Sequence, residues 1–121
     1  MATILFVDDE ESIRLLYSEE FEEAGYDVVL AAGGEDALEK FAEKQPDLLV
    51  VDIKMPGMDG IELLGRIRER NTEVPIILCT AYGEYRQNFE TWSSDEYIVK
   101  SANLEGLFKK VADLLARQGS S

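Results

Sequence analysis

Five short apolar runs alternate with stretches of helical periodicity, and this alternation restricts the fold more than any other feature of the chain. "TILFVD" (3–8), "DVVLAA" (27–32), "DLLVVD" (47–52), "VPIILCT" (74–80) and "EYIVK" (96–100) read as strands. "DLLVVD" is continuously apolar between turn signals, as expected of a strand covered on both faces. Residues 11–24 place Ile13, Leu16, Tyr17, Phe21 and Ala24 on one helical face, with Gly25 at the stop position. Residues 34–44 read as a second helix, ended by Pro46. After the Pro56-Gly57 turn, Asp59 and Glu62 have the spacing of an N-cap and its return partner, opening a helix with Ile61, Leu64 and Ile67. Leu104, Leu107, Phe108, Val111, Leu114 and Leu115 form the stripe of the last helix, with Asn103 as its N-cap. Right-handed crossovers then imply an α/β fold, a mainly parallel sheet with helices on both faces. Such sheets bind ligands beyond the carboxyl ends of their strands, where the strand order reverses.

The residues at those ends carry the chemistry. The first strand ends at Asp8-Asp9-Glu10, the third at Asp52, the fourth at Thr80 and the fifth at Lys100, while the second ends in Gly33-Gly34 and offers no side chain. If strands one and three are neighbours, aspartates from two loops meet. Crowded carboxylates repel, so a proton or a cation must sit among them. A hard divalent cation suits oxygen ligands, and Mg²⁺ retains waters while using one or two carboxylates plus phosphate oxygens. Asp52 then has the surroundings of a nucleophile toward phosphorus, with Thr80 a hydroxyl donor and Lys100 a mobile point charge. Each residue alone has a plainer explanation. The acids at 8–10 suit the positive end of a helix, Asp52 suits a loop cap, Thr80 a strand and Lys100 a surface. The combination is the signal.

Composition bounds the alternatives. The 121 residues suffice for one domain with its own core, and 45% hydrophobic and 31% charged content are ordinary for a globular protein. No apolar run approaches the ~20 residues that cross a bilayer, and "MATILFVDD" lacks a secretory signal. Cys79 is the sole cysteine, which fits a reducing compartment and a cytoplasmic location. With no histidine in the chain, His-based zinc sites and His general bases are excluded. Net charge is −13, and residues 8–23 hold eight acids against the single Arg14. Such a surface repels phosphate backbones, so direct nucleic-acid binding is not expected. The loop "DDEES" is acidic and glycine-free, the opposite of a dinucleotide-binding turn.

In "ILFVDDEESIRLL", "PDLLVVDIKMPGMDGIELL", "VPIILCTAYGE" and "YIVK" the chain resembles, along almost its whole length, the receiver domain of bacterial two-component response regulators. The resemblance implies a doubly wound, flavodoxin-like fold with a five-stranded parallel sheet of order 2-1-3-4-5. It implies Asp52 as phosphoacceptor, and a Mg²⁺ (or Mn²⁺) site of Asp8, Asp9, Asp52 and the backbone carbonyl of Lys54. It further implies Thr80 as the switch hydroxyl, Lys100 as phosphoryl partner and Tyr97 as the aromatic that changes rotamer. Lys54 and Tyr82 occupy the positions that tune dephosphorylation in relatives, and Leu15 lies where relatives dock the phosphodonor. That donor is a phosphohistidine on a sensor histidine kinase or a histidine phosphotransfer protein. Relatives also self-associate, making a homodimer an open expectation. Residues 1–117 are expected to form the domain, with 118–121 a frayed tail or the start of a linker.

The chain departs from the family after Lys100, where Ser101 stands in place of the usual proline. A cis bond without proline costs roughly 2.5–4 kcal/mol, so a trans Lys100–Ser101 bond is expected. The stretch from Thr80 to Lys100 is also short, with "WSSDE" before the fifth strand and Tyr85, Phe89 and Trp92 on one short helical face. Three functions compete. The first is a phosphorylation-dependent switch without substrate turnover beyond its own dephosphorylation. The second is a degenerate receiver acting as an adaptor. The third, a hydrolase with an aspartyl intermediate, is disfavoured because Lys54 stands where such enzymes place a second acid.

Overall fold

The computed structural model describes residues 2–80, 96–99 and 104–119, of which 80, 96–99, 118 and 119 are described by backbone alone. Five parallel strands form one sheet of order β2-β1-β3-β4-β5: β1 (Thr3–Val7), β2 (Asp27–Ala31), β3 (Leu48–Asp52), β4 (Ile76–Thr80) and β5 (Glu96–Val99). The described helices are α1 (Glu11–Glu23), α2 (Gly34–Lys44), α3 (Gly60–Arg70) and α4 (Glu105–Gly119). Expected strands over 3–8, 27–32, 47–52 and 74–80 are each trimmed by one or two residues, β5 covers Glu96–Val99 of the expected 96–100 with Lys100 outside the described residues, and Gly119 of the expected tail is still helical.

Strand alternation builds two cores. Leu5, Val7, Leu49, Val51, Ile76 and Leu78 meet α2 and α3 on one face, through Ala37, Phe41, Leu63 and Ile67. Ile4, Phe6, Leu48, Val50, Ile77 and Cys79 meet α1 and α4 on the other, through Tyr17, Phe21, Leu107 and Val111. Both faces of β3 are covered, which explains its uninterrupted apolar sequence.

The turn chemistry sets where each helix begins and ends. Gly25 takes a φ of 102°, a left-handed conformation that favours glycine. The Gly25 N–H donates to Glu22 O and the Tyr26 N–H to Phe21 O, at 3.0 Å each, closing a Schellman motif. Phe21 and Tyr26 rings pack at 5.8 Å as its apolar clasp. Gln45 ends α2 with a φ of 46°, immediately before Pro46.

Two expectations fail in instructive ways. Leu16 and Ala24 are exposed, whereas Tyr17 and Phe21 are buried. At roughly 100° per residue, Leu16 lies well round the helix from the Tyr17–Phe21 midline, and Ala24 is the C-cap residue, beyond the last helical position Glu23. Asp59 caps α3 as expected, accepting from Ile61 N–H at 3.0 Å and Glu62 N–H at 2.9 Å. Glu62, however, turns forward to Arg66 at 3.2 Å instead of back to the cap, because an i,i+4 pair is within reach on the exposed face. The expected cap Asn103, the aromatic face Tyr85-Phe89-Trp92 and the Lys100–Ser101 bond lie outside the described residues.

Candidate functional site

The order β2-β1-β3 makes β1 and β3 neighbours, so their carboxyl-terminal acids converge at the point where strand order reverses. Asp8 continues the β1 ladder by one hydrogen bond, its N–H donating to Ala31 O at 3.1 Å. Asp52 is the last residue of β3, in register with Cys79 of β4. One oxygen each of Asp8, Asp9 and Asp52 lies within 4.8 Å of the others. Asp8 and Asp52 are 1% and 5% exposed, and Asp9 faces solvent. Three carboxylates this close repel strongly, and an all-oxygen donor set with one solvent-facing member fits a hard divalent cation such as Mg²⁺.

The loops are held by their own polar atoms. Asp8 Oδ1 accepts from Glu10 N–H at 3.0 Å, and the half-buried Arg14 donates to Asp8 O at 2.8 Å. Arg14 stands out in sequence as the only cation among eight acids, yet its task of pinning the acidic turn is visible only in space. Beyond Asp52, Ile53 N–H donates to Cys79 O at 3.0 Å and Gly60 N–H to Ile53 O at 2.9 Å. Helix α3 therefore starts directly against the loop that follows Asp52. A Cβ on Gly60 would come within 2.3 Å of Asp52 O and 2.8 Å of Ile53 Cα. Only glycine permits that approach. Sequence reasoning passed over Gly60, because nothing local marks a residue whose constraint is a distant backbone.

Tyr17 is buried on the inner face of α1 as its spacing predicts, while its nearness to the acids is visible only in the structure. Its ring packs against Phe6 at 4.9 Å and Phe21 at 6.4 Å, and the side chain is buried beneath the strand ends. Burial holds its phenol well above the ordinary tyrosine range, and the neighbouring Asp8 and Asp52 carboxylates push the same way.

The remaining expected residues are distributed as follows. Lys54 follows in the loop after β3 with an exposed side chain. Thr80 ends β4, its backbone in register with Val99, and Tyr97 lies in β5 opposite Leu78. Leu15 is 54% exposed on α1, with Leu16 beside it. Lys100 and Tyr82 lie outside the described residues. No helix among the described residues is long and apolar enough to cross a membrane.

Comparison with known proteins agrees with this geometry. The family model for the response regulator receiver domain matches residues 4–112. Sporulation initiation phosphotransferase F of Bacillus subtilis is 46% identical over 81 residues, covering 67% of this chain and 65% of that protein. The transcriptional regulators that also match are spanned over only 23% to 50% of their lengths. Among solved structures, the response regulator TrrA of Thermotoga maritima in complex with Mg(2+)-BeF is 47% identical with a TM-score of 0.89, covering 94% of this chain and 99% of that one. TrrA in complex with the histidine kinase ThkA is 48% identical with a TM-score of 0.88, covering 95% and 99%. Strand order, acidic cluster and sequence relationship together lead to one conclusion: the chain belongs to the response regulator receiver family of two-component systems.

Proposed function

We propose that this receiver accepts a phosphoryl group on Asp52 from a phosphohistidine donor and thereby changes the surface it offers to partners. The observation that carries this reading is the meeting of Asp8, Asp9 and Asp52 oxygens within 4.8 Å at the reversal point of the sheet. An Asp52 oxygen attacks phosphorus, the bond from phosphorus to the donor imidazole breaks, and an acyl phosphate results. Attack of water on that phosphorus later breaks its bond to the Asp52 oxygen, releases inorganic phosphate and restores the carboxylate. Asp8, Asp9, Asp52 and the Lys54 carbonyl would hold Mg²⁺, which when bound offsets the charge of the transferring oxygens. Burial of Asp8 and Asp52 limits water around the acceptor. Arg14 keeps the acidic turn in place through Asp8 O. Thr80 and Lys100 are assigned to the phosphoryl oxygens, Tyr97 to the rotamer change, and the Lys54 and Tyr82 side chains to access of water.

The donor is taken to be a histidine kinase or a histidine phosphotransfer protein, in keeping with the kinase complex of TrrA. Leu15 and Leu16 stand exposed one turn into α1, beside the acidic edge, and suit an apolar contact with that donor. Leu15→Asp is expected to slow donor-dependent transfer about tenfold while leaving transfer from a small acyl phosphate unchanged. Equal donor-dependent rates at equal stability would remove Leu15 from the docking surface.

Incubation with Mg²⁺ and a small acyl phosphate, read by intact mass, tests the main reading. One phosphoryl addition per chain is expected, absent in Asp52→Asn and absent without the divalent cation. Turnover of varied phosphate esters would favour a hydrolase. An unchanged mass would favour a phosphorylation-independent adaptor.

A further inference from the structure

Tyr17 is a buried tyrosine on the α1 side of the acidic cluster that the scheme above does not use. Phe6, Asp8, Val50, Asp52 and Cys79 carry one alternation of the sheet, so the acids and Cys79 lie on the α1 side, directly above Phe6. Tyr17 stacks on Phe6 at 4.9 Å from that side. A long side chain on a helix leans toward the helix N-terminus, and α1 begins at Glu11, just past the acidic turn. That lean carries the phenol end of the ring toward the acidic ends of β1 and β3. The Asp8 and Asp52 charges acting on it agree with this direction.

The side chain is only 6% exposed, and no described protein group exchanges a hydrogen bond with its hydroxyl. A buried hydroxyl needs a partner. A site lined by that hydroxyl and two carboxylates has the polarity and the number of partners that hold a water.

We propose that Tyr17 is a positioning residue of the cation site, its hydroxyl linked through a water to the inner oxygens of Asp8 and Asp52. This rests on the receiver reading. It assigns α1 a part in orienting the carboxylates, as outer partners orient ligands in other metal sites.

Tyr17→Phe removes the hydroxyl and keeps the ring packed on Phe6 and Phe21. Titration of the intact chain with Mg²⁺, followed by calorimetry and by tyrosine difference absorbance, tests the proposal. The variant is expected to bind Mg²⁺ about tenfold more weakly, at a thermal midpoint equal to or above that of the wild type. The Mg²⁺-induced tyrosine difference signal should be lost with it. Tyr26→Phe, whose hydroxyl belongs to the far end of α1, is expected to retain both. Superimposable isotherms for wild type and Tyr17→Phe would overturn the role of Tyr17 while leaving the metal site intact. A wild type without Mg²⁺ binding would overturn the metal reading and this inference together.

Discussion

Gly60→Ala is expected to lower stability by about 3 kcal/mol, the upper range for forcing extra atoms into a packed interior. The added Cβ would meet Asp52 O at 2.3 Å and the Ile53 backbone at 2.8 Å. Neither neighbour is a flexible side-chain tip. Both belong to the end of β3 and the loop behind it, where Asp52 and Cys79 are in register. Relief of the clash has two routes: α3 moves off the sheet, or the loop after Asp52 moves. The first loses contacts of Leu63, Leu64 and Ile67, all buried. The second shifts the Asp52 carboxylate relative to Asp8 and Asp9. A displacement near 1 Å at a reacting group costs roughly a hundredfold in rate, so phosphorylation should fall along with stability.

Gly65→Ala in the same helix provides the contrast. No atom lies within 4 Å of a Cβ there, and the position faces solvent. Glycine inside a helix is roughly 0.5–1 kcal/mol worse than alanine, so this change should stabilise. Urea denaturation of the two variants is expected to shift the midpoint in opposite directions at unchanged slope. A Gly60→Ala protein with wild-type midpoint and wild-type phosphorylation would show that α3 does not press on the end of β3.

Asp9→Asn is expected to have opposite effects with and without divalent cation. Asp9 is the solvent-facing member of the cluster, its oxygen within 4.8 Å of those of Asp8 and Asp52. Without cation, its charge only repels its neighbours, so neutralising it should raise the denaturation midpoint in EDTA. With cation, the same charge attracts, and amide oxygen is a poor substitute for carboxylate. Loss of an outer partner typically weakens metal sites by roughly 10–100-fold. Loss of a direct ligand should weaken Mg²⁺ binding by at least the upper figure. The stabilisation that saturating Mg²⁺ confers on the folded state should largely disappear. Denaturation in Mg²⁺ and in EDTA, for wild type and variant, reads both signs in one experiment. A variant less stable in EDTA than the wild type would mean that Asp9 serves the fold instead of a cation.

Much of this architecture was legible in the sequence because it follows from period and punctuation. Continuous apolar runs such as "DLLVVD" mark strands covered twice, and Gly25 and Asp59 mark helix ends through chemistry that acts within a few residues. The acidic cluster was legible for a different reason. Parallel α/β sheets place ligands at strand carboxyl ends, so an acid terminating a buried strand is already located in space. What stayed hidden depended on contacts between distant segments. The apolar face of α1 is narrower than its periodicity predicts, with Leu16 and Ala24 outside it, because a helical wheel does not say at which angle the sheet lies. Gly60 reads as an ordinary turn residue until Asp52 O is seen against it. Tyr17 reads as one more core aromatic until its ring is found on Phe6 with the acids above. Glu62 could pair with either the cap or Arg66, and solvent exposure decided for Arg66.

The central claim is that Asp8, Asp9 and Asp52 form one cation site with Asp52 as the phosphoryl acceptor. The most direct test is a crystal structure of this chain grown with Mg²⁺ and beryllofluoride, a phosphoryl mimic. The expected result is a cation bound by Asp9, Asp52 and the Lys54 carbonyl, with Asp8 alongside and the fluoride complex on the Asp52 carboxylate. A cation bound elsewhere, or an Asp52 left bare at saturating beryllofluoride, would contradict it.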